Sequence, residues 1–146
     1  MGTAENKDLV SRFILEVVNT GDVERISAFV SPDCVETDGA LRVVSGVDGM
    51  ASHIRSVRAT YPDLQLSIER QIAEDDWVAT QITARGTHQG TWLGIRPTGR
   101  HLVFTGVNLD RIAGGRIVEH GGAANMLGPL LDIGAVRVVG DADPAD

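Results

Sequence analysis

The sequence predicts an α+β fold, in which a curled antiparallel sheet wraps around N-terminal helices and leaves an internal apolar pocket. Apolar residues recur at three- and four-residue spacing in the first part of the chain, which is typical of helices. Between Asp76 and His120 the pattern changes to alternating runs joined by turn sequences, which is typical of antiparallel strands. Because a long sheet with one apolar face needs a cover, the two patterns together predict a cone-shaped architecture.

Helices are predicted before the sheet and after it. The first is amphipathic, with Leu9, Phe13 and Val17 on one face, and the glycine at position 21 follows its end. The third also has an apolar stripe and ends before Pro62. The predicted helices span residues 5–19, 23–30, 46–60 and 125–131, and residues 31–33 break the second.

Strands are predicted from alternation and from the turns between them. Residues 95–99 contain Pro-Thr-Gly and residues 113–115 end in Gly-Gly, and both are turn signals because proline presets φ while glycine accepts positive φ. The predicted strands span residues 34–37, 41–44, 64–73, 77–89, 100–112 and 116–120.

Composition limits the classes of partner. The chain has 146 residues, 42% hydrophobic residues and a net charge of −7, which fits one globular domain and disfavours nucleic acid and membrane surfaces as partners. The N-terminus has no apolar signal-peptide core, so we expect a cytoplasmic protein. The single cysteine, Cys34, is expected to be a buried thiol. We expect one domain over residues 1–139 and a flexible acidic tail over residues 140–146.

Motifs for bound groups are missing from the sequence. Neither a phosphate loop nor a dinucleotide fingerprint occurs, and the four histidines form no His-x-x-x-His pair. A metal site could then only be assembled from distant segments, and we expect neither a metal nor a cofactor.

Several polar residues fall on faces predicted to be apolar. His53 lies on the apolar face of the third predicted helix, and His88 shares strand parity with Val78 and other apolar residues. Asn108 and Asp110 share strand parity with Phe104, so both should face inward, where a polar side chain needs a hydrogen-bond partner or a ligand.

The expected pocket combines these positions with apolar ones. Of the neighbours Glu119 and His120 only one can face inward, and His120 is the expected one. Trp92 is predicted to be either a lid or a wall of the pocket. The expected catalytic candidates are Asn108, His88 and His53, and the expected pocket residues are Phe13, Val17, Met50, Trp92, Phe104, Asp110, His120, Asn125 and Met126.

Three segments resemble the SnoaL-like polyketide cyclases: RGTHQGTWLGIRPTG at 85–99, TGVN at 105–108 and GRIVEH at 115–120. The resemblance covers nearly the whole chain and implies the nuclear transport factor 2-like fold, an α+β cone. It also implies a small-molecule polyketide substrate, a reaction without a cofactor, and a homodimer that forms through the outer face of the sheet.

The catalytic residues that the resemblance implies are not all present. The family's acid/base aspartate follows the histidine of the last strand and falls at Gly122, while an assisting histidine falls at Asn108. An asparagine that helps to bind substrate falls at His53. Glycine cannot exchange a proton, so the usual aldol cyclisation is not expected in its usual form.

Three hypotheses follow from this difference. The pocket could preorganise a polyketide for ring closure, including a pericyclic [4+2] closure, with Asn108, His88 or His53 donating a hydrogen bond. Alternatively, His53, His88 or Asp110 could supply an acid/base for aldol closure, epoxide opening or isomerisation, or the protein could be a hydroxylation component with a reductase partner. The third hypothesis is a small-molecule binding protein without catalysis.

Overall fold

The computed structural model describes residues 2–140 and contains a six-stranded sheet covered by helices. Of the predicted acidic tail, residues 141–146 lie outside the described residues. The helical segments are α1 (Thr3–Phe13), a π-helical turn (Ile14–Val18), a 3-10 helix (Val23–Ala28), α2 (Gly46–Thr60) and α3 (Leu127–Asp132). The predicted 46–60 helix has the bounds of α2, while the predicted 23–30 helix is shorter and of the 3-10 type.

The N-terminal helix ends in a π turn. The amide of Asn19 donates to the carbonyl of Ile14 at 2.9 Å, five residues back, so the predicted 5–19 helix continues past α1 in a wider coil. Arg58 on α2 then donates to the carbonyls of Val18 and Asn19 at 3.2 and 3.3 Å. These bonds satisfy carbonyls that the helix end leaves without partners and tie the N-terminal helix to α2.

The strands form one open sheet in the order β2-β1-β6-β5-β4-β3. Neighbouring strands are antiparallel except for β1 and β6, which run parallel. The α+β prediction with a curled, unclosed sheet is therefore confirmed. The strands are β1 (Val30–Asp38), β2 (Leu41–Val44), β3 (Gln65–Glu74), β4 (Trp77–Thr87), β5 (His101–Ala113) and β6 (Arg116–Ala124).

Two strands are longer than predicted. β1 begins at Val30, and its register against β6 shifts between Val30 and Val35, so the irregularity accommodates Pro32, which has no N–H to donate. β6 continues to Ala124 because β5 supplies a partner for each residue of its glycine-rich end. Pairing with a neighbouring strand here overrides the low strand preference of proline and glycine.

The helices cover the inner face of the sheet. The larger buried cluster joins Phe13 and Val17 of the N-terminal helix, Met50 of α2 and Val78 of β4. A smaller cluster forms around Tyr61 and contains Leu64, Ala84 and Leu102. Helix residues therefore pack on the inner side chains near the start of β4, and the second cluster continues the core beyond the end of α2.

Candidate active site

A cavity of about 360 Å³ lies between α1, α2 and the inner face of the sheet. Apolar side chains form most of its wall, and the polar ones are concentrated on β5, β6 and α2. Such an apolar enclosure with a few polar groups is the usual form of a small-molecule site. The polar residues that line it include His53, Thr105, Asn108, Asp110 and His120.

Asp110 and His120 form a hydrogen-bonded pair in the cavity wall. They lie opposite one another on β5 and β6, and 2.6 Å separates Asp110 Oδ1 from His120 Nδ1. The Asp110 side chain is 3% exposed and that of His120 is 22% exposed. Because the carboxylate accepts from Nδ1–H, it fixes the tautomer of a neutral His120 with Nε2 unprotonated.

The pair also sets the basicity of His120. Burial lowers the pKa of His120, but the hydrogen bond to Asp110, the charge of Asp110 and the charge of Glu36 together outweigh burial and raise that pKa above 6.5. Asp110 therefore makes His120 a stronger base than burial alone would leave it.

Asn108 and Gly122 form the next pair on the same face of these two strands. Asn108 lines the cavity, and the residue opposite it has no side chain. Gly122 has φ +145, and a Cβ built there would lie 2.2 Å from the carbonyl oxygen of Val107. The backbone at Gly122 therefore has no room for the aspartate that the family resemblance places there.

An aromatic cluster closes the other end of the cavity. The Tyr61 ring lies 5.4 Å from that of Phe104 and 6.1 Å from that of Trp92, both edge-on. Trp92 is half-buried and precedes a tight turn in which Leu93 has φ +51. The Trp92 ring therefore lines the cavity and lies in the loop at its end, and its role as a lid or a wall stays a prediction.

Most of the predicted pocket residues line this one cavity. Their catalytic or binding roles stay predictions. Those with a place in the lining are Phe13, Met50, His53, Trp92, Phe104, Asn108, Asp110, His120 and Met126.

Three predicted residues lie elsewhere. His88 does face inward, but Tyr61 and Trp92 separate it from the cavity, and each ring centroid is 6.1 Å from that of His88. Val17 is fully buried in the core and does not line the cavity, although its neighbour Val18 does. Asn125 is exposed, and its backbone N–H donates to the carbonyl of Thr105 at 2.7 Å.

Sequence reasoning did not assign Tyr61 to the pocket. Tyr61 directly follows α2, lines the cavity and is 5% exposed. Burial raises the pKa of its phenol to about 12. A lone tyrosine at the end of an apolar helix stripe was the only available signal.

Residues 2–140 contain neither a metal-binding cluster nor a membrane-spanning helix. Within residues 2–140, no group of three or more His, Cys, Asp or Glu side chains is placed to hold a metal ion. Over the same residues no helix is long and apolar enough to cross a membrane.

The family follows from comparison with known proteins. The model of the SnoaL-like polyketide cyclases matches residues 8–133, and the chain belongs to this family. It is an enzyme of the cyclase type.

Two individual relatives are named cyclases, and a similar crystal structure is named a hydroxylase. The chain is 27% identical to nogalonic acid methyl ester cyclase of Streptomyces nogalater over 83% of this chain and 92% of the relative. It is 28% identical to aklanonic acid methyl ester cyclase of Streptomyces galilaeus over 75% of this chain and 77% of the relative. A crystal structure of a candidate hydroxylase from Streptomyces galilaeus superposes with a TM-score of 0.84 and 32% identity, over 96% of this chain and 87% of that one.

Proposed function

We propose that this protein is a cofactor-independent polyketide cyclase of antibiotic biosynthesis, in which His120, held by Asp110, transfers the proton that ring closure requires. The observation that carries the proposal is the 2.6 Å hydrogen bond between Asp110 and His120 in the wall of an apolar cavity. The protein would act in the cytoplasm as a homodimer on a linear or partly cyclised polyketide. Two relatives named as cyclases of polyketide methyl esters support this substrate class.

The proposed reaction is an intramolecular aldol closure. His120 Nε2 accepts a proton from a carbon next to a substrate carbonyl, and Asp110 stabilises the imidazolium that forms. The enolate carbon attacks a second carbonyl of the same molecule and forms the new C–C bond. The resulting alkoxide takes the proton back from His120, so the product is an isomer of the substrate and no electrons are exchanged.

Asn108 and the apolar wall have supporting roles in this proposal. Asn108 is two residues from Asp110 on the same face of β5, so its amide N–H can donate to the carbonyl that becomes an enolate. Gly122 leaves open the space opposite Asn108. The apolar wall excludes water and folds the flexible substrate into the reactive conformation, which is the part of the preorganisation hypothesis that this proposal keeps.

The homodimer is proposed from the outer face of the sheet. Val103, Val107 and Leu109 project from the outer face of β5 and are 45%, 43% and 47% exposed. Apolar residues clustered on one exposed sheet face favour a protein partner over solvent. A second copy of the same face is the simplest partner, because two identical patches related by a two-fold axis are self-complementary.

A mass-resolved assay tests the proposal. The purified protein is incubated with nogalonic acid methyl ester or aklanonic acid methyl ester, the compounds in the names of the relatives. We expect an isomer of unchanged mass, formed faster than in buffer, and a rate lowered roughly 10²–10⁴-fold by His120→Gln. The matched control is His101→Gln, which changes an exposed histidine and should keep the full rate.

Other outcomes would contradict the proposal in different ways. An undiminished rate in His120→Gln would favour pericyclic closure, because that reaction needs no proton carrier. A gain of one oxygen that appears only with a reductase would identify a hydroxylation component, and bound but unchanged ester would identify a binding protein.

A further inference from the structure

Two buried polar atoms at the aromatic end of the cavity have no hydrogen-bond partner among residues 2–140. They are Tyr61 Oη and His88 Nε2, and their residues are 5% and 0% exposed. The two rings are neighbours, with centroids 6.1 Å apart. A buried donor or acceptor without a partner is destabilising, so its retention requires an explanation.

Both unpaired atoms are hydrogen-bond donors. The backbone N–H of Thr98 donates to His88 Nδ1 at 3.3 Å, and the Thr98 hydroxyl lies 3.0 Å from the same nitrogen. Since Nδ1 accepts from a backbone amide, the proton of a neutral His88 is on Nε2. The Tyr61 phenol keeps its proton as well, because burial raises its pKa to about 12.

We propose that Tyr61 Oη–H and His88 Nε2–H form a subsite that binds a carbonyl oxygen of the substrate at the aromatic end of the cavity. Two donors without an acceptor, on neighbouring rings, match the two lone pairs of a ketone, quinone or ester carbonyl. This inference rests on the proposed function, in that it takes the cavity to be the substrate site.

The position of the subsite defines the shape of the substrate. Phe104, which contacts Tyr61, and Asp110 lie on the inner face of β5, six residues apart. At ~3.3 Å per residue this is a span of roughly 20 Å along the strand. The substrate would therefore be elongated, with an apolar body, a reacting carbon near His120 and a carbonyl oxygen at the far end.

Trp92 covers the subsite and has to move for the subsite to fill. Its ring lies edge-on to both Tyr61 and His88. It is attached to a turn in which Leu93 is 70% exposed and two consecutive residues have positive φ. The turn lies between β4 and β5, and Leu93 and Gly94 are exposed, so displacement of the ring requires no change in the sheet.

Binding of two matched probes tests the proposal without turnover. We would measure the dissociation constants of 2-acetylnaphthalene and 2-ethylnaphthalene, which differ in one carbonyl oxygen, by calorimetry. Tyr61→Phe removes only the hydroxyl, and we expect it to reduce the preference for the ketone about tenfold. Thr83→Val removes a hydroxyl of β4 outside the cavity lining and should leave that preference unchanged.

Thermal unfolding separates this role from a structural one. Tyr61→Phe should melt at or above the temperature of the wild type, because it removes a buried hydroxyl that has no partner. An equal ketone preference in wild type and Tyr61→Phe would overturn the subsite, and so would the failure of both probes to bind. If the ketone preference persists in His120→Gln while the wild-type protein does not convert the methyl esters, the subsite is supported and the cyclase mechanism is rejected.

Discussion

Replacing Asp110 by asparagine removes one charge from the cavity and keeps an oxygen that can accept from His120 Nδ1–H. The wild-type bond is 2.6 Å long and the Asp110 side chain is 3% exposed, so solvent screens this charge weakly. A hydrogen bond to a charged group is stronger than a neutral one by about 1–2 kcal/mol. We therefore expect Asp110→Asn to lower kcat/KM by roughly 5- to 30-fold at its plateau.

The pH dependence of activity tests whether Asp110 raises the pKa of His120. His120 must be neutral to accept a proton, so activity rises as pH increases through the pKa of His120. Asp110 raises that pKa against the effect of burial. Without the charge the pKa falls, and the acid limb of kcat/KM should move to lower pH.

The assay is the isomerisation of the polyketide methyl esters, followed across the pH range for wild type and variant. The matched control is Asp63→Asn, which changes a carboxylate that accepts from Thr87 outside the cavity lining. An unchanged rate with an unchanged acid limb would refute the reasoning. A shift of the acid limb to higher pH would also refute it, because loss of the Asp110 charge should lower the pKa of His120 rather than raise it.

Further predictions concern other parts of the molecule. Gly122→Asp should not raise activity and should lower the melting temperature by roughly 4–10 °C in thermal denaturation, since its backbone has φ +145 and no room for a Cβ. Val107→Glu should halve the mass measured by light scattering if the outer sheet face forms the dimer. Cys34, whose pKa burial and nearby carboxylates raise to about 11, should react with Ellman's reagent at about pH 8 only after unfolding. The folded pKa of His120 is raised, so its contribution to the free energy of unfolding should be present below pH 6.5 and lost as pH rises through that pKa, measured against His120→Gln.

Local patterns were sufficient for most of the fold. The apolar stripe and the following Pro62 predicted the bounds of α2, and alternation predicted β3, β4 and β5 to within two residues. The parallel pairing of β1 with β6 was not predicted, because their residues are distant in sequence and Pro32 contradicts the local pattern. Only a neighbouring strand makes that segment extended.

The sequence predicted which strand faces carry the site residues, but it did not predict which side chains contact one another. Strand parity indicated that Asn108 and Asp110 face inward, and both line the cavity. Parity also placed His88 inward, yet it could not show that Tyr61 and Trp92 separate it from the cavity. Contacts across a cavity depend on how the helices pack, and strand periodicity does not determine that packing.

One irregularity of the β5–β6 hairpin decides whether a proton-transfer pair exists. Near the turn Ala113 pairs with Arg116 and Ile112 with Ile117, and a regular ladder would then place Asp110 opposite Glu119. A bulge between Ile112 and Arg111 shifts the register by one residue, so that Asp110 lies opposite His120 instead. Glu119 turns to the other face, where Arg42 binds it at 2.8 Å. The same two strands thus bring a carboxylate and an imidazole together rather than two carboxylates, and nothing in the local sequence locates the bulge.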